Sequence, residues 1–240
     1  MRKRKPKPLD LSTFDGRLLD GLNFCRKAYE LFNQTRASPG GIGKLRLRSS
    51  KNEKRLIEEL IPVARYVQAR YREGRRIKVR WLSGSQPYDA VLLSSGVFVD
   101  KGITPRRVIV EVTTAVHQND YLVRQRLHAQ GHAFGVKGVS RDKKTGTIVS
   151  EPYVVTNGER ETDLATQIIE RIKSKSAKGY DAETVLIVYC VPNGLTLEDE
   201  WDEAVALVTQ AGVHHAFKEV FLVETGSTSR SATLYGRSTK

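Results

Sequence analysis

The run Arg107-Val108-Ile109-Val110-Glu111-Val112-Thr113 sets a carboxylate inside a β-branched stretch that reads as a buried strand. Alternation puts Val108, Val110 and Val112 on one face and Ile109, Glu111 and Thr113 on the other. An ionised Glu buried there is costly unless a cation or hydrogen-bond donors compensate it. A second acid, Asp89, opens the apolar strand that follows Gln86-Pro87-Tyr88, and the pair Glu58-Glu59 lies upstream beside a helical apolar stripe. Two acids on neighbouring strands of a very basic chain suggest a divalent metal held against nucleic acid. The matching chemistry is in-line attack of water on a phosphodiester. A hard cation with oxygen ligands, Mg²⁺ or Mn²⁺, offsets the charge that grows on the phosphate.

The elements that must position these residues follow from pattern. Residues 13–37 read as one or two amphipathic helices, and Ser38-Pro39-Gly40-Gly41-Ile42-Gly43 breaks them. A helix over 52–72 carries the stripe Leu56, Ile57, Leu60, Ile61, Ala64 and Val67, with Pro62 set to kink or divide it. Strands are expected at 77–82, 88–93 and 107–113, with a short one at 97–99. A helix over 119–130 ends at Gly131, and 134–139 reads as another strand. Residues 140–160 look like a hairpin or exposed insertion. The C-terminal third alternates helix 162–173, strand 184–191, helix 197–210 and strand 220–223, with an edge strand at 233–235. The run Thr184–Val191 is apolar throughout, the mark of a strand covered on both faces. The fold class is therefore α/β, a mixed central β-sheet flanked by helices.

Charge is unevenly placed. Of 40 Lys/Arg and 27 Asp/Glu, the first 80 residues hold 22 and 8, so the whole positive excess lies in the first third. A localised basic region is the footprint of a polyanion partner. Residues 1–50 read as a basic N-terminal arm and helical segment, and 51–240 as the α/β domain. Arg46, Arg48, Arg72, Arg75, Arg76 and Lys78 are the expected phosphate contacts. The 240 residues suffice for a full core. No apolar run reaches membrane-span length, and the basic start is not followed by a signal-peptide core. A cytoplasmic or nucleoid-associated protein, not secreted, is expected. Cys25 and Cys190 imply neither a disulfide framework nor a zinc site.

The ordered set of helical Glu58 or Glu59, Asp89 at a strand start, Glu111-Val112-Thr113 in mid-strand, and Arg124-Gln125 on the next helix resembles the PD-(D/E)XK nuclease superfamily over about residues 52–131. That resemblance implies a restriction-endonuclease-like core and hydrolysis of nucleic acid, DNA before RNA, with homodimers cutting both strands. It implies Asp89, Glu111 and the carbonyl of Val112 as metal ligands, and Glu59, preferred over Glu58, as the acid that orients water. Gln125 and Arg124 would steady the water or the scissile phosphate. The chain departs from the family at Thr113, where the pattern has Lys. A neutral hydroxyl cannot supply the positive charge that stabilises the transition state. That charge is then expected from Arg124, Lys101, Lys137 or a second metal; failing that, the site binds without cutting. A non-catalytic nucleic-acid-binding protein and a scaffold or assembly factor are the competing readings.

Other motifs carry less. Gly43-Lys44 is followed by Leu45, not Ser or Thr, so no phosphate loop is formed. His128 and His132 have helical ligand spacing, but Gly131 interrupts the helix between them.

Overall fold

The computed structural model describes residues 9–156, 158–195, 197–225 and 230–236. The expected basic arm at 1–8 lies outside the described residues. The chain divides into two compact units, Met1–Arg107 and Val108–Lys240. This division falls far from residue 50, because the first long helix packs against the helix that follows Pro62.

Unit 1 holds β1 (Leu18–Asp20), α1 (Gly21–Ala37), α2 (Gly41–Leu47), α3 (Lys51–Arg55), a π-helical turn (Leu56–Leu60), α4 (Ile61–Arg70), β2 (Arg76–Trp81), β3 (Ala90–Ser95) and the short α5 (Val97–Asp100). The last was expected as a strand; instead Gly96 at φ 107° turns the chain into one helical turn. Asp20 caps α1 by accepting from the N–H groups of Leu22 (3.0 Å) and Asn23 (3.2 Å). Strands β1, β2 and β3 pair antiparallel, with Lys78 opposite Asp20 and Leu93. In β2, Ile77, Val79 and Trp81 are buried, while Arg76, Lys78 and Arg80 are exposed. The buried set meets a helical layer led by Phe24, Ala28, Leu56, Leu60, Ala64 and Val67.

Unit 2 holds β4 (Arg107–Ala115), α6 (Asp120–Gln130), β5 (Val139–Arg141), β6 (Ile148–Ser150), α7 (Glu159–Ser176), β7 (Thr184–Cys190), α8 (Glu198–Gln210), β8 (Glu219–Glu224) and β9 (Ser231–Tyr235). β4, β7 and β8 run parallel, and β9 closes antiparallel on β8. The chain is thus α/β with mixed strand pairing and flanking helices. Every residue of β7 is buried, as its apolar run requires, and one face of it, Leu186, Val188 and Cys190, shares a core with Leu164 and Ile168 of α7 and Trp201 and Val208 of α8. Gly131 at φ 79° ends α6. Residues 134–138, expected as strand, form a loop; pairing begins only at Val139, in the β5–β6 hairpin. Both cysteines are free and buried, and burial pushes the Cys25 thiol up to about 12.

Candidate functional site

Pro62 shapes the first part of the site. It has no N–H to donate, and its ring would collide with the carbonyl four residues back in a regular helix. The chain relaxes into a π turn over Leu56–Leu60, and the Ile61 N–H bonds the Leu56 carbonyl across five residues. Glu58 and Glu59 both ride on this widened turn. Their surroundings differ. Glu58 is held by Arg48 (3.2 Å) and Lys54 (3.9 Å). Glu59 has a long contact to Arg55, 3.9 Å. The Arg55 guanidinium is drawn away to the Ser83 carbonyl and lies 5.9 Å from the centre of the Trp81 ring.

Asp89 ends the β2–β3 connection, where its carbonyl accepts from the Leu82 N–H at 2.9 Å. That loop is fixed at its other end by Asp15, which accepts from the Ser83 N–H (2.9 Å) and hydroxyl (2.6 Å). Burial, followed by the negative charge of Asp89, pushes the Glu59 carboxyl up from 4.5 to about 7; Arg55 counters this only in part. The buried Trp81 indole N–H faces Glu59 closely enough to favour its charged form, but makes no hydrogen bond of regular geometry. Within unit 1 the charge of Asp89 therefore acts on Glu59.

Glu111, in unit 2, lies in mid-β4 opposite Leu186 of β7. Its side chain is 9% exposed and bonds the Nζ of Lys175 from α7. Lys175 is the compensating cation that burial of this acid demands. Sequence reasoning missed it: Lys175 sits 64 residues away in a helix rich in exposed Lys and Arg, and no local signal separates it from its neighbours. Thr113 is half-buried beside β7, opposite Val188, and Val112 is buried.

On α6, Arg124 is paired one turn back with Asp120 at 2.5 Å. Gln125 is exposed, and its Oε1 accepts from Arg141 of the β5–β6 hairpin at 2.8 Å. Lys137 is taken by Glu159 and by Asp163 (2.6 Å), and Lys101 is exposed after α5. Among the described residues, no three His, Cys, Asp or Glu side chains gather into a group that could hold a metal ion.

The basic residues divide by role. Arg75 is buried and binds the Ser94 hydroxyl (3.4 Å) and the Arg70 carbonyl (3.3 Å), so it serves the fold. Arg48 is half-buried at φ 53°, tied to Glu58 and the Leu45 carbonyl. Arg46 is half-buried too. Arg72, Arg76 and Lys78 are exposed, and Arg80 joins the last two on the outer face of β2. The alternation along β2 could have separated these from Arg75 in the sequence.

No family model matches the chain, and neither a curated protein nor a solved structure gives a significant match. Among the described residues no helix is long and apolar enough to cross a membrane.

Proposed function

We propose that the chain is a metal-dependent phosphodiesterase of nucleic acid, acting on DNA through a restriction-endonuclease-like core. The observation that carries this is the Glu59 carboxyl on the π turn, raised to about 7 by its burial and then by the charge of Asp89. An acid raised by burial and by a second acid's charge is a donor that a divalent cation relieves, and Mg²⁺ needs only one or two carboxylates. Within unit 1 the pair would fit Mg²⁺ or Mn²⁺ at Asp89. The ion, when bound, supplies charge compensation at the phosphate and acidifies water.

The chain's own residues supply the rest. A carboxyl titrating near neutral pH is suited to accept a proton from water and to release it again, which is the role of Glu59. Lys175 brings to Glu111 the positive charge that Thr113 cannot. Arg76, Lys78 and Arg80, at successive outward positions of β2, hold the phosphate backbone without reading bases. Action on both strands of a duplex calls for a homodimer.

A second reading is favoured by the Glu111–Lys175 pair, which satisfies a buried acid without any metal. In that reading the protein binds nucleic acid and does not cut it. Incubation of DNA with Mg²⁺ or Mn²⁺ separates the two. The expected result is cleavage by the wild type and a loss of 100-fold or more (about 3 kcal/mol) in Asp89→Ala and Glu111→Ala. Equal DNA loss in all three would assign the cutting to a contaminant. Salt-sensitive binding without cutting would leave the binding protein, and no binding at low salt would leave the scaffold.

A further inference from the structure

The acid pair and the outer face of β2 leave one surface of unit 2 unused. Arg124 and Lys137 being paired with acids, the stretch from Tyr121 to Ser150 leaves Arg126, Arg141, Lys143 and Lys144 against a single acid, Asp142. That acid is occupied by its own turn, where it accepts from the N–H groups of Lys144 (2.9 Å) and Thr145 (2.6 Å). Arg141, Lys143 and Lys144 are exposed on or beside the β5–β6 hairpin. This local excess is invisible in the charge balance of the chain beyond residue 80, because acids elsewhere cancel it.

Aromatic rings are exposed on the same piece of structure. Tyr121 is 55% exposed and Phe134 48%. Tyr121, Gln125 and His128 follow at helical spacing along the exposed side of α6, and Gln125 accepts a hydrogen bond from Arg141, which joins that side to the hairpin. His132 stands edge-on to Phe134, with ring centres 6.2 Å apart. Phe134 is held in place although its ring faces solvent. Its N–H donates to the Ser150 hydroxyl (2.9 Å), and the Asn119 side chain donates to the Val136 (3.2 Å) and Val139 (3.0 Å) carbonyls. Phe134 is thus a large apolar ring outside the core on a backbone fixed by these bonds. Rings interleaved with cations match a strand of unstacked bases, which offers aromatic faces and phosphates in alternation.

We infer that α6 and the β5–β6 hairpin form a binding platform for single-stranded nucleic acid. Tyr121, His128 and Phe134 stack on bases, and Arg141, Lys143 and Lys144 meet the phosphates. This inference rests on the nucleic-acid reading above and narrows it, making the substrate one with a single-stranded segment. A duplex buries its base faces and can engage only the cations.

The test is fluorescence anisotropy in EDTA, so that no cutting intervenes, with labelled oligothymidylate and a blunt duplex as probes. The double variant Tyr121→Ala/Phe134→Ala alters only exposed rings, and its melting temperature is compared with that of the wild type. The expected result is a loss of about 30-fold or more in oligothymidylate affinity, with duplex affinity changed less than about twofold. Unchanged oligothymidylate binding, or an equal loss on both probes, would overturn the platform and leave the nuclease reading standing. Failure of the wild type to bind either probe at low salt would overturn both.

Discussion

Replacement of Glu59 by Gln should stabilise the protein at alkaline pH and, under the proposed function, abolish cutting. The folded protein holds the Glu59 carboxyl at about 7 against an ordinary 4.5. Between those values the folded state keeps a proton that the unfolded chain has released, so stability falls as pH rises through this window. The difference is worth roughly 3 kcal/mol when fully developed above pH 7. A quarter of the side chain remains in water, which reduces the figure to about 2 kcal/mol. For a chain of this size that is a shift of about 4–8 °C in melting temperature. The assay is thermal or urea unfolding at pH 5 and pH 8 in EDTA. Wild type should lose about 2 kcal/mol more than Glu59→Gln on going from the lower to the higher pH. Asp89→Asn should recover part of the difference, since the Asp89 charge is the second cause of the shift. Identical pH slopes for wild type and Glu59→Gln would refute the coupling on which the site rests.

Lys175→Met should destabilise the protein by about 3 kcal/mol, because it strands a Glu111 carboxylate that is 9% exposed; the double variant with Glu111→Gln should lose less than the sum of the single ones, as a double-mutant cycle of unfolding energies will record. Removing Arg76, Lys78 and Arg80 together should lower the slope of log binding constant against log salt by about 2–3 on duplex DNA, with little change in unfolding energy. Arg75→Ala should do the reverse, costing about 1–2 kcal/mol of stability through its buried partners and leaving the salt slope unchanged.

Periodicity made the strands and helices legible, and tertiary geometry made the rest illegible. The all-apolar run at Thr184–Cys190 could only be a strand covered on both faces, and it is. The β2 alternation, with Ile77, Val79 and Trp81 buried and Arg76, Lys78 and Arg80 exposed, was equally open to a reading by period. By contrast, residues 97–99 and 134–138 carry β-branched or aromatic side chains without pairing, because Gly96 and Gly135 at positive φ turn the chain out of extended geometry. Pro62 announced a disturbance, but its form, a π turn carrying Glu58 and Glu59, depends on packing that a pattern does not contain. At the site, the apolar neighbours of Glu111 signalled a buried acid correctly. They could not point to Lys175, whose role is set by where α7 crosses β4. Counting charge found the basic first third, but it could not tell Arg75, which closes a buried corner, from Arg76, which faces solvent.

The most direct test of a cation at the acid pair is a Mn²⁺-soaked crystal read by anomalous diffraction. The account predicts a peak about 2.1 Å from an Asp89 carboxylate oxygen, absent from crystals of Asp89→Asn. Full-occupancy Mn²⁺ elsewhere on the chain with none at Asp89, or the same peak surviving in Asp89→Asn, would contradict it.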